Sequence, residues 1–422
     1  MSQQRVTSVI SSHGWNSECT ILAVCPNNNE IHLYEVVSGE NTLSRTTTLQ
    51  QHRQLVSSIS WNRGGSFVSC SHDSTAFVWS LEGDRWTPEP VFTRLKLAAL
   101  CVRWSPCGGK LAIASGEKRI CISHYEKEQK RWVSKPFRRC HSSSVVAIAW
   151  HPGGALLAST STDGRCKIFN AALPGIDGQG QAPGAFGDVL IDVEAGIGWG
   201  HAVAWSPSGC QLVVSSHGPA LQFLCGLYGS SAASLQPEAA GRQLLHHVQL
   251  PLRCVAFLSE TSVVGAGFDG QVFLFERDGE GVWSYARSLS PEPAMRIDGG
   301  GRRGAISAAF SAKLAMFRSP AKKDRTREQP LLSAEGAAAV APGHDNAVVD
   351  LQVFTDAAGT PTGRFSTAGW DGRVLLWDAG KGATETEESG EGRAEGLIKA
   401  PTGVLTKHCP NRLLFDPVGT CD

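Results

Sequence analysis

The chain has 422 residues, enough for one large or two medium domains. Lys+Arg and Asp+Glu stand at 39 each, and this zero balance argues against nucleic acid or an anionic membrane as a global partner. The 13 cysteines are odd in number and show no C-x-x-C spacing, which gives no zinc site and points to small buried thiols (Cys70, Cys101, Cys121, Cys254) in a reducing cytosol. With no apolar signal core at MSQQRVTSVI and no run of membrane-helix length, a cytoplasmic location and no membrane insertion are expected.

Residues 5–10, RVTSVI, read as a short strand. Residues 13–36 then hold two strand-like runs around the turn residues Asn27-Asn28-Asn29. Similar units follow at about 52–92 and 95–135. The stretch 141–170, HSSSVVAIAWHPGGALLASTSTDGRCKIFN, is the clearest of them. It contains three short apolar runs separated by His-Pro-Gly-Gly and Asp-Gly turns. Three such strands cannot bury both faces alone, so the unit requires neighbours.

An aromatic or apolar anchor recurs at Trp15, Trp61, Trp104, Trp150, Trp205, Phe257 and Val353, at intervals of 46, 43, 46, 55, 52 and 96 residues. Nine residues before Trp61, Trp150 and Val353 stand His52, His141 and His344. A second anchor falls at Tyr34, Trp79, Phe169, Phe223, Phe275 and Trp377, with Asp73, Asp163, Asp269 and Asp371 six residues before four of them. Trp377-Asp378 completes a literal WD pair. This period and layout mark seven WD40 repeats, each a four-stranded blade. The fold expected is therefore an all-β, seven-bladed WD40 β-propeller over 5–378, with 5–10 as the outer strand of the last blade.

Structural blade networks are expected from His52/Asp73/Trp79 and His344/Asp371/Trp377. His141/Asp163 should form a third, although Phe169 has lost the indole donor. Blade three departs further, with Leu97, Glu117 and Ser123 at these positions. Residues 174–198 are rich in Gly and Pro and read as a long loop, and 226–247 as a second irregular piece.

The last interval is twice a repeat, which implies a helical insertion between blades six and seven at about 290–343. Within it, Ile306, Phe310, Leu314 and Phe317 fall on one helical face, and Ser319-Pro320 would stop the helix. Residues 296–327 carry nine Lys/Arg, among them Arg318, Lys322 and Lys323, against Asp298 and Asp324. A basic helix with an apolar stripe fits docking into a groove on an acidic protein partner. Residues 379–422 form an acidic low-complexity linker and an unassigned tail.

No catalytic constellation is present, neither a Walker-type phosphate loop nor G-x-S-x-G, so no enzymatic activity and no cofactor or metal are expected. His246-His247 reads as a pair of exposed loop residues. The repeated Asp residues read as structural, and the Trp ladder as core packing.

HGWN (13–16), ILAVCPNNNEIHLYE (21–35), WVSKPFRR (132–139), SSVVAIAWHP (143–152), GWGHAVAWSPSG (198–209) and STAGWDGRVLLWD (366–378) carry a family resemblance. From about residue 8 to 378 the chain resembles the WD-repeat subunit, subunit 1, of the actin-related protein 2/3 complex. The resemblance implies a non-catalytic scaffold in an assembly that nucleates branched actin filaments. It implies as partners the other subunits, the actin filament and a nucleation-promoting factor, in the actin cytoskeleton. It also implies that Ile306, Phe310, Leu314 and Phe317, with Arg318, Lys322 and Lys323, contact actin or the activator. The alternative is a WD40 adaptor that recruits peptides or substrates to a different multiprotein complex.

Overall fold

The computed structural model describes residues 3–37, 42–137, 140–177, 183–227, 241–246, 250–290, 343–356 and 359–380. Among these there is no helix, and the strands fall into seven four-stranded units. Each unit is an antiparallel meander running from an inner to an outer strand. The inner strands are Ser12–Trp15, Val56–Trp61, Ala99–Trp104, Val145–Trp150, Gly200–Trp205, Leu252–Phe257 and Val348–Thr355. Each lies against the next, and the seventh returns to the first, so the blades close into a ring.

The reason for closure is visible in the core. The second strand of each blade is largely buried on both faces; Phe67–Ser71 and Leu156–Ser161 are buried at every residue. The hydrophobic core is accordingly split into seven clusters, one between each pair of consecutive blades. A blade hides one face against its predecessor and the other against its successor.

The last blade is closed by the N-terminus, as expected, but with different residues. The closing strand is Gln3–Arg5, antiparallel to Arg373–Leu375. Val6 and Thr7 then both donate to the Gly372 carbonyl, which turns the chain off the sheet edge. Ile10 leaves the ladder to fill the cluster between blades seven and one.

Both stretches read as loops contain outer strands. Val189–Glu194 completes blade four and Gly241–His246 completes blade five. In IDVE (191–194) buried apolar side chains alternate with exposed acidic ones, and this short period of two was masked by the Gly-rich flank. His246 is thus a strand residue rather than a loop residue, and His247 lies outside the described residues. Blades two and three are joined further at their rims, where Trp132-Val133 pairs in parallel with Val91-Phe92.

A buried ion pair pins the segment that leads into blade four's outer strand. Lys110 Nζ, fully buried, donates to the Ala171 carbonyl at 3.0 Å and to Asp177 Oδ2 at 2.5 Å, and lies over the Trp150 ring. Removing one member strands the other charge. Lys110→Met should lower stability by about 3–5 kcal/mol, and adding Asp177→Asn should recover part of the loss. Urea-denaturation midpoints of the two variants check this.

Candidate functional site

The strands alternate in direction, so each blade's entry loop and its second-to-third-strand turn share one face of the ring, called here the upper face. The expected His and Asp residues meet there. His141 Nδ1 lies 2.9 Å from Asp163 Oδ2, and His344 Nδ1 lies 3.0 Å from Asp371. His52 Nδ1 is farther from Asp73, at 3.5 Å, and instead contacts Thr75 Oγ1 at 3.0 Å. Each Asp also accepts a backbone N–H from its entry loop, from Arg53, Ser142 or Asp345. The acid therefore fastens the entry loop to the turn. The following residue is left-handed, Gly164 and Gly372 at φ of +75° and +73°, which suits the Asp-Gly sequence.

The link from imidazole to indole runs through a hydroxyl that the sequence pattern did not single out. Ser69 Oγ stands 2.7 Å from His52 Nε2 and accepts from Trp79 Nε1 at 2.9 Å. Thr367 Oγ1 does the same for His344 and Trp377, at 2.8 and 2.7 Å. In blade four the relay ends at Ser159, because Phe169 has no donor. In blade three Glu117 keeps the acid's part of the arrangement and accepts from the Lys96 and Leu97 N–H groups.

The second anchor of blade five is corrected by register. Leu224, not Phe223, pairs with Leu212 as Trp79 pairs with Phe67. A one-residue offset reverses the face. Leu224 packs toward blade four, whereas Phe223 stacks on Trp283 of blade six at 4.4 Å.

The inner-strand tryptophans do more than pack. Trp61, Trp150 and Trp205 donate their indole N–H to Gly14, Arg103 and Ala149 carbonyls of the preceding blade, at 2.9, 3.0 and 3.2 Å. Between blades seven and one a polar clamp takes this role. Gln352 holds both backbone groups of Trp15, and Asp350 Oδ2 accepts from Ser12 Oγ and the His13 N–H, each at 2.8 Å. Burial alone would raise the Asp350 pKa, but His13 and the Arg103 charge outweigh it and pull it down to about 2. Neither Asp350 nor Gln352 follows from the repeat spacing.

The inner strands enclose a channel of about 1300 Å³ lined by Ser58, Arg103, Ala147, Ala202, Arg253 and Asp350. Among the described residues there is no group of His, Cys, Asp or Glu that could hold a metal ion. The described cysteines are free thiols. Burial raises Cys70 and Cys121 to about 12, and Cys254 still further, so these thiols are packing groups.

The family model of the WD domain, G-beta repeat, matches residues 43–80, 134–170 and 338–378. The propeller domain of Cps50 (Swd1) from Myceliophteria thermophila superposes with a TM-score of 0.60 at 15% identity, covering 89% of this chain and 99% of that one, a likeness of fold alone. Actin-related protein 2/3 complex subunit 1A of Arabidopsis thaliana is 36% identical over 89% of this chain and 95% of its own length. The chain belongs to the family of actin-related protein 2/3 complex subunit 1. Subunit 1A-A of Xenopus laevis is 30% identical over 87% of the chain and 94% of its own length. In this member of the subunit 1 family, the predicted contact residues Ile306, Phe310, Leu314, Phe317, Arg318, Lys322 and Lys323 lie outside the described residues.

Thr367→Val keeps the shape but leaves the Trp377 and His344 nitrogens without their shared partner. It should cost about 1–3 kcal/mol, and more than Ser159→Ala, where one nitrogen loses its partner; chemical denaturation compares the two.

The pH dependence should fall in two stages. Burial lowers the pKa of His141 and His151, and of His201 to about 4, so the fold favours their neutral forms and loses stability as pH falls below about 6.5. Asp163, Asp350 and Asp371 are depressed because hydrogen bonds and charges outweigh burial. Their contribution is present above about pH 4 and is lost below it. Melting temperatures between pH 8 and 2.5 should show both declines.

Proposed function

We propose that the chain is a non-catalytic scaffold subunit of the actin-related protein 2/3 complex that supports the nucleation of branched actin filaments. The similarity to subunit 1 proteins, which spans nearly the whole length of both chains, carries this reading. The geometry agrees with it. The ring is held by interblade cores and a polar clamp, and the titratable groups of the blade networks are tied to one another and to the backbone. Such a body presents surface to partners.

In this reading the propeller holds neighbouring subunits in the cytoplasm. The insertion at about 290–343 contacts the actin filament or a nucleation-promoting factor. Ile306, Phe310, Leu314 and Phe317 supply the apolar stripe, and Arg318, Lys322 and Lys323 the basic end. What supports this is the sequence itself: a neutral chain concentrates nine cations in 296–327, which closing the ring does not require.

A tagged chain should recover two actin-related proteins and a fixed set of small subunits in equal amounts from its native cell extract. Recovery of the chain alone, or with unrelated proteins, rejects the reading. In the reconstituted complex, Phe310→Ala with Phe317→Ala should leave assembly intact and lower the branching rate several-fold. Unchanged branching removes the insertion from the mechanism.

A further inference from the structure

The central channel is not chemically uniform along its rim. The position four residues before each inner-strand anchor stands near the upper mouth. It is Ser57, Leu100, Val146 and Val349 in blades two, three, four and seven, none of them charged. In blades five and six it is His201 and Arg253. Two neighbouring blades thus put nitrogen-rich side chains side by side at one sector of the mouth.

The surroundings of this sector are built from the upper-face loops of the same blades. His217, in the turn of blade five, brings Nδ1 to 3.1 Å from His201 Nε2. The Trp199 ring lies 5.6 Å from the His217 ring, and its side of the mouth is open, with the residue 57% exposed. The Phe268 ring from the turn of blade six meets His201 edge-on at 5.8 Å. Trp370, from blade seven, also lines the mouth.

Among the described residues no acid is paired with the charge at this sector. Arg253 is half-buried, and its guanidinium forms no hydrogen bond or ion pair with any described residue. Arg103, deeper in the channel, differs in donating to Ser58 Oγ at 2.9 Å and to the Val102 carbonyl at 2.8 Å. The channel's carboxylate, Asp350, is already engaged by Ser12 and His13. Asp269, in the adjoining turn, accepts from the Gln271 N–H. A guanidinium with no acid partner among the described residues, beside two hydrogen-bonded imidazoles and under an aromatic wall, has the donors that a tetrahedral oxyanion requires. A guanidinium presents two parallel N–H groups to phosphate oxygens, and the hydrogen-bonded imidazole pair keeps a ring N–H to give.

We propose that the upper mouth of the channel, between blades five and six, binds the phosphate group of a small ligand. Arg253 is the charged donor, the His201–His217 pair supplies a ring N–H, and Trp199 and Phe268 wall the site. This assignment is independent of the complex to which the subunit belongs.

Pyrophosphate and inorganic phosphate, titrated calorimetrically into the purified full-length chain, are the probes. Saturable one-to-one uptake of pyrophosphate is expected, weakened tenfold or more by Arg253→Gln and several-fold by His201→Gln. Arg103→Gln should leave it unchanged. Melting temperatures of the three variants within a few degrees of the parent confirm that folding is not the cause. No saturable uptake, or equal uptake by Arg253→Gln, overturns the proposal. A loss confined to Arg103→Gln also overturns it, since the anion then sits deeper in the channel. Acetate that displaces pyrophosphate at equal concentration would assign the site to carboxylates and reject the phosphate class.

Discussion

A single blade in this chain has two apolar faces and no interior of its own. Every other feature follows from that constraint. The seven hydrophobic clusters lie between blades rather than within them, so none is complete until its neighbour has docked. A row of such units always leaves two open faces at its ends. Closing the row into a ring removes both at once, which is why the N-terminal residues Gln3–Arg5 return to the last blade.

The junction between blades seven and one differs from the junctions preceding blades two, four and five. At those three, a tryptophan inserts and donates its indole N–H to the preceding inner strand. At the closing junction, Asp350 and Gln352 grip Ser12, His13 and Trp15 through polar atoms. These partners are 337 or 338 residues apart in sequence and meet when the ring shuts. Directional hydrogen bonds fix the register of the two inner strands, which a purely apolar contact specifies less tightly. Together with Ile10 and the N-terminal strand, they make the seam between the chain's ends a composite of core, clamp and edge pairing.

The ring also explains why sequence degeneracy is tolerated so unevenly. Blade three has lost the histidine and the indole of the upper-face network, yet Glu117 still fastens its entry loop. Its faces are supported by neighbours on both sides, and its rim is tied to blade two. Chain inserted outside the strands leaves the interblade cores intact. The Gly/Pro-rich stretch of blade four illustrates this: its residue Asp177 is anchored by the pair with Lys110, and Phe186 packs on the core between blades three and four.

The sequence by itself determined the number of blades, the identity of the inner strands and the His–Asp meeting points. These depend on short-range periodicity and on turn residues such as Asp163-Gly164, both local properties of the chain. The outer strands were less legible, because Val189–Glu194 and Gly241–His246 sit in irregular flanks and need little apolar surface. What only the tertiary structure decided was which groups meet across blades. The face of Phe223 was set by a one-residue register choice, the relay through Ser69 and Thr367 by the spacing of adjacent strands, and the Asp350–Gln352 clamp by closure. Arg253 gains its meaning in the same way. In the sequence it is one cation among many, and only the ring sets it beside His201, with no acid partner among the described residues. A repeat records what each blade needs from any neighbour, whereas these contacts depend on which neighbour is there.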